Sequence, residues 1–259
     1  MAKKQSYSYK TKRSDTLTNR MMIVFVLLLL SVFALLSVRN WLGTTSAVEN
    51  YDAYIRTVRL LPILPLVLTV ASAVYLILCK KNQKNEEFTT LSSSFLLTVS
   101  AVFLVVALII SRYVYIGYVP AIIFVILVSL LYFIAVSFPG SYLIIAIFNA
   151  LGAFAIYALN LVSAIDSPVE HYVLRALAVV VAVAFAVILG MAKKNGGELF
   201  GMKIMKKDAD YLPVFISVAV FALFIILGAL GIGSYVIYDV IIALETIIFA
   251  LFYAIKMLK

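Results

Sequence analysis

Apolar residues in this chain fall into long unbroken runs, and the charged residues are gathered between them. The first run covers Met21 to Val38, the second Leu60 to Cys79 and the third about Ser93 to Ser111. Each is close to the roughly 20 residues that carry an α-helix across the ~30 Å hydrocarbon layer of a bilayer. None alternates with the two-residue period of a barrel strand, so the spans are predicted to be helices, which satisfy their own backbone groups. The next run, Tyr113 to Ile165, is 53 residues long. As one helix it would measure about 80 Å, more than twice the hydrocarbon thickness.

A break is therefore required, and Phe138-Pro139-Gly140-Ser141 supplies it. The predicted helices are 116–137 and 141–165, followed by a sixth at 172–192 after Asp166-Ser167-Pro168. The last run, Leu212 to Leu258, divides by the same arithmetic at Gly231-Ile232-Gly233-Ser234, giving 212–232 and 235–255. Pro213 stands where a first-turn proline is tolerated, and Pro62 with Pro65 predicts a bent outer end for the second span. The expected fold is an all-α, polytopic integral membrane bundle of about eight transmembrane helices. A basic tail (1–20) precedes two four-helix halves, 21–137 and 141–257.

Composition agrees. The chain is 65% hydrophobic, with a mean hydropathy of +1.12, against about 45–50% apolar residues in soluble domains. The first run is longer than the apolar core of a signal peptide and leads straight into Arg39-Asn40-Trp41, so it is expected to remain as an anchor. A net charge of +9 would point to nucleic acid in a soluble protein. Here its distribution reads as a topology signal and an attraction to anionic lipid, and no nucleic-acid partner is expected.

With an even number of spans, all fourteen lysines plus Arg13 and Arg20 share the side of the two termini; Arg39, Arg56, Arg59, Arg112 and Arg175 lie opposite. Sixteen cations against five predicts a plasma (inner) membrane protein with both ends cytoplasmic. The outward five are all arginine, whose planar fork grips carboxylate or phosphate. Arg56 and Arg59 end a segment, Val48 to Val58, with the spacing of an interfacial helix, where Trp41, Tyr51 and Tyr54 reach headgroup depth. These arginines are either a site for a lipid headgroup or anionic substrate, or are paired with Glu49, Asp52, Asp166 and Glu170.

The halves echo each other. Cys79-Lys80-Lys81-Asn82 is answered by Ala192-Lys193-Lys194-Asn195, Ala101-Val102-Phe103 by Ala219-Val220-Phe221, and Tyr115/Tyr118 by Tyr235/Tyr238, at spacings of 113 to 120 residues. Features that keep one order at nearly one spacing predict an internal duplication. A four-helix unit returns the chain to its starting side, so the halves are expected to be parallel repeats about an axis along the membrane normal, with a ligand pathway between them.

Few residues remain to carry chemistry. Glu245 sits ten residues from either predicted end of the last helix. An acid at that depth costs about 2.5–3.5 kcal/mol or more, which implies a protein- or water-facing side chain: a proton- or cation-linked carboxyl, or a protonated acid bonded to a neighbouring helix. Asn149 and Asn160 lie eleven residues apart, only about 20° from whole turns, so they are predicted to share a helix face with Gly152 and Ser163, for packing or as a polar lining. His171, the single histidine, reads as a surface residue, and Asp239 as interfacial. One cysteine, Cys79, and one histidine leave no supply for a metal cluster, and neither a cofactor nor a metal is expected. There is no phosphate loop, dinucleotide fingerprint, nucleophile elbow or HEXXH. The expectation is a non-enzymatic protein, a small transporter or a membrane subunit associated with other membrane proteins. The alternative is a lipid-phosphate-binding or -processing protein built on the outer arginines.

Overall fold

A computed structural model describes residues 2–42, 51–82, 89–113, 117–163, 168–199, 202–203 and 211–258. Among these, helix dominates: α1 (Ala2–Leu42), α2 (Tyr51–Leu60), α3 (Ile63–Lys81), α4 (Ser93–Arg112), α5 (Tyr118–Ser137), α6 (Gly140–Ser163), α7 (Pro168–Lys194), α8 (Leu212–Ala229) and α9 (Tyr235–Leu258). The exception is a two-residue antiparallel ladder of β1 (Glu198–Leu199) with β2 (Met202–Lys203), pairing Glu198 with Lys203 and Leu199 with Met202.

Seven of the described helical segments are long and apolar enough to cross a membrane: Ser14–Asn40, Ile55–Lys81, Ser93–Arg112, Tyr118–Ser137, Gly140–Asn160, Leu212–Ala229 and Tyr235–Leu258. The apolar part of α7, Arg175–Met191, is shorter. Leu64, Val67 and Ile77 on α3, and Ile237, Ile248 and Leu251 on α9, are exposed. Water would reject such surfaces; hydrocarbon accepts them without cost. The chain is a multi-pass membrane protein.

The breakers act where the sequence places them. Pro139 separates α5 from α6, and the tight turn after α8 has Gly231 at φ 70° and Gly233 at φ 80°. Both lie in the left-handed region, which glycine enters without a Cβ penalty. The Leu61–Pro62 turn divides α2 from α3, as the paired prolines predict. The basic stretch 1–20 is itself helical, because α1 already begins at Ala2. No proline or glycine occurs between Ala2 and Leu42, so nothing halts the helix on leaving the hydrocarbon.

The chain forms two compact units, 1–132 and 133–259. In the first, α3 packs along α4, and one core joins Leu35 of α1, Val58 of α2, Val106 and Ile110 of α4, and Tyr118, Ala121 and Val125 of α5. Arg20 ties the start of the first span to the start of the third: its Nε donates to the Thr90 carbonyl at 2.9 Å and its Nη2 to the Thr89 carbonyl. Ser92 caps α4 by accepting from the Phe95 amide.

In the second unit α8 is central, packed by α6, α7 and α9. Its core includes Ile145 and Ile156 of α6, Ala182 of α7, Phe221 and Ile225 of α8, and Ile242 of α9. Aromatic rings fill much of this interior: Phe148 meets Phe221 edge-on at 5.8 Å, and Phe224 stacks on Tyr238 at 4.9 Å.

Candidate functional site

On α9 the inward stripe runs Tyr238, Ile242, Tyr253, all buried, with Glu245, Thr246 and Phe249 half-buried along the same line. Leu244, Ile247 and Ile248 point outward. This 3.6-residue phase, set by the apolar pattern, turns Glu245 into the unit. Both of its carboxylate oxygens are buried; among the described residues neither meets hydrogen-bond geometry, although the Ser217 hydroxyl lies close enough to act on the carboxyl.

Beside it lies a polar cluster at the junction of α6, α8 and α9. Ser217 of α8, fully buried, neighbours Glu245, but its hydroxyl donates to Asn149 Oδ1 at 2.8 Å. Asn149 Nδ2 donates to Thr246 Oγ1 at 2.8 Å, and Thr246 Oγ1 donates to the Ile242 carbonyl at 2.8 Å. The chemistry fixes the amide's orientation. Thr246 has one proton, already given to Ile242, so it must accept from the amide nitrogen, which leaves the amide oxygen for Ser217. The Tyr142 hydroxyl donates to the Thr246 carbonyl at 3.1 Å, closing the cluster on the α6 side.

The close approach of these helices depends on Gly152, one turn from Asn149 on α6. A Cβ there would stand 2.9 Å from Phe221 Cδ2 and 3.4 Å from Ile242 Cδ1. Small residues at membrane helix crossings bring backbones together in this way.

Of the residues singled out by sequence, Glu245 and Asn149 therefore belong to one cluster. Asn160 does not: it is exposed, and Leu159 takes the inward position. Ser217 and Thr246 were missed, because lone hydroxyls in apolar helices usually bond back to their own helix and carry no distinguishing pattern.

The arginines that the sequence predicts to face outward are distributed over both units. Arg56 and Arg59 are exposed on α2, whose apolar face buries Val58. Val48 lies outside the described residues, as do the side chains of Trp41, Tyr51, Tyr54, Ser163 and His171. Arg112 is exposed at the end of α4, with its guanidinium 5.6 Å from the Tyr113 ring centroid. Arg175 is half-buried; its Nε has no hydrogen-bond partner, and Nη2 lies 3.7 Å from where a Cβ on Gly231 would sit. Asp239, half-buried one turn into α9, also has an oxygen without a partner among the described residues.

No protein-family model, no curated protein and no solved structure matches this chain.

Proposed function

We propose that this protein is a non-enzymatic membrane protein of the small-transporter type, alone or as a subunit of a larger membrane assembly, in which Glu245 is the exchangeable group for a proton or small cation. The observation that carries the reading is a carboxyl whose two oxygens are buried without a hydrogen-bond partner among the described residues. Its neighbour Ser217 sends its only proton to Asn149 and so offers Glu245 lone pairs alone. A carboxylic acid can donate to that oxygen. A carboxylate needs a proton or a metal cation from outside the cluster.

The proposed frame has eight spans, α7 included, in a plasma (inner) membrane with both termini cytoplasmic. It also has a duplicated four-helix plan. Within the first unit α1, α4 and α5 share a core; within the second, α6, α8 and α9 do. In each, the remaining long helix lies on the third of its set, α3 on α4 and α7 on α8, although α7 also gives Ala182 and Leu189 to its core and α3 gives none. Polar positions echo too. Ser31, Thr98 and Ser129 precede Asn149, Ser217 and Thr246 by 118, 119 and 117 residues. Glu245 has no acidic counterpart, since the residue 120 places earlier is Val125.

The test is flux in proteoliposomes under an imposed pH or cation gradient. Wild-type protein is expected to dissipate the gradient, and Glu245→Gln to lose that flux while keeping the fold, because the amide nitrogen can donate to Ser217. Equal flux in the variant would remove Glu245 from the function.

A second reading has one specific observation in its favour. The partner-less Nε of Arg175 suits an anion such as a lipid phosphate on the outer face. Phospholipid retained by wild type and lost in Arg175→Gln would support it.

A further inference from the structure

Within the first unit, α1, α4 and α5 line a half-open cavity of about 270 Å³. One end is marked by Arg20, six residues into the span that begins at Ser14. Ser31, eleven residues further along α1, also lines it; at 1.5 Å per residue the cavity follows α1 for about 16 Å, half the ~30 Å hydrocarbon layer. Its walls are largely apolar, with Val24 and Leu28 from α1, Val99 and Val102 from α4, and Val128 from α5. Thr98 and Ser129 add hydroxyls deeper in.

Among the described residues, Arg20 is the charged residue of the lining and no acid lines the cavity. Two of its five N–H donors are committed to the Thr89 and Thr90 carbonyls. Those bonds hold the guanidinium in place and leave the other donors for a further acceptor. A fixed cation at headgroup depth, opening on a narrow apolar slot, complements a molecule with an anionic head and one hydrocarbon tail. The volume lies just below the ~300–1,000 Å³ usual for ligand pockets, the scale of one short acyl chain.

We infer that this cavity binds a single-chain amphiphile with a carboxylate or phosphate head, the head on Arg20 and the tail between α1, α4 and α5. The corresponding junction of the second unit is filled by Phe148, Phe221 and the Asn149 cluster, so the two halves divide the work: one holds an amphiphile, the other the carboxyl. This inference uses none of the Glu245 geometry, and its failure would leave the proposed transport reading standing.

The test is equilibrium binding of radiolabelled dodecanoate to the full chain in nanodiscs of zwitterionic lipid. Dodecanoate is expected to bind above the level of empty discs. Dodecyl phosphate should compete, whereas inorganic phosphate should not. Arg20→Gln is expected to weaken dodecanoate about tenfold, the loss of one charge-assisted pairing, with dodecanol little changed. Arg20→Lys should retain most of the affinity, which separates lost charge from lost folding. Val102→Phe, which fills the slot, should remove both ligands. Binding no greater than to empty discs, equal affinity in Arg20→Gln, indifference to Val102→Phe, or competition by inorganic phosphate would each overturn the inference.

Discussion

The Asn149 amide of α6 and the Thr246 hydroxyl of α9, 97 residues apart in sequence, meet at 2.8 Å inside the second unit. Because Asn149 also accepts from Ser217 of α8, a single side chain clamps the three helices that hold Glu245.

Replacing Asn149 with Leu should therefore loosen the junction. Ser217 loses its acceptor and Thr246 its donor. Buried interhelical hydrogen bonds in membranes average about 0.6 kcal/mol each, and orphaned groups add to the loss, so about 1–3 kcal/mol is expected. Thermal unfolding of the purified protein in detergent checks this; an unchanged midpoint would show that the clamp does not hold the helices.

Gly152→Ala should destabilise by about 1–3 kcal/mol through overpacking, since the added methyl falls 2.9 Å from the Phe221 ring. Shrinking that ring provides the control. The double variant Gly152→Ala/Phe221→Leu should cost less than the two single changes added together. Additive losses would mean the two sites do not touch.

Gly233→Ala should cost more than the about 1–2 kcal/mol penalty of a Cβ at φ 80°, because the methyl would also run into the Tyr238 hydroxyl. Because the turn joins α8 to α9, loss of unit 2 stability in urea or heat should accompany it, whereas Gly190→Ala, with open space around its α-carbon, should be neutral or slightly stabilising.

Threading can be read chemically. In a Cys79→Ser background, single cysteines at Asn195 and Lys256 should react with a membrane-impermeant maleimide from the cytoplasmic side, and one at Arg39 from the opposite side. Labelling of Asn195 and Lys256 from different sides would break the eight-span arrangement.

Most of the helix plan was legible because bilayer thickness imposes a length, and Pro139 and Gly231 stand where that length runs out. The onset of α1 was not: polarity marks where the hydrocarbon ends, while a helix runs on until something breaks it, and no proline or glycine precedes Gly43. Of the site, Glu245 and Asn149 announced themselves by being polar at depth. Helical phase placed Asn160 on the face of Asn149, but phase carries no information about what packs there, and Leu159 occupies the inward position instead. Ser217, Thr246 and the cavity beside Arg20 exist only as meetings of three helices distant in sequence, which no single-helix pattern encodes.

The donors beside Glu245 all point one way, from Ser217 through Asn149 and Thr246 to the Ile242 carbonyl. A carboxamide does not hand protons on, and a peptide oxygen is a dead end. Under the proposed function, this chain offers a proton on Glu245 no onward relay through Ser217, which suits a carboxyl that is alternately loaded and emptied better than conduction through the cluster.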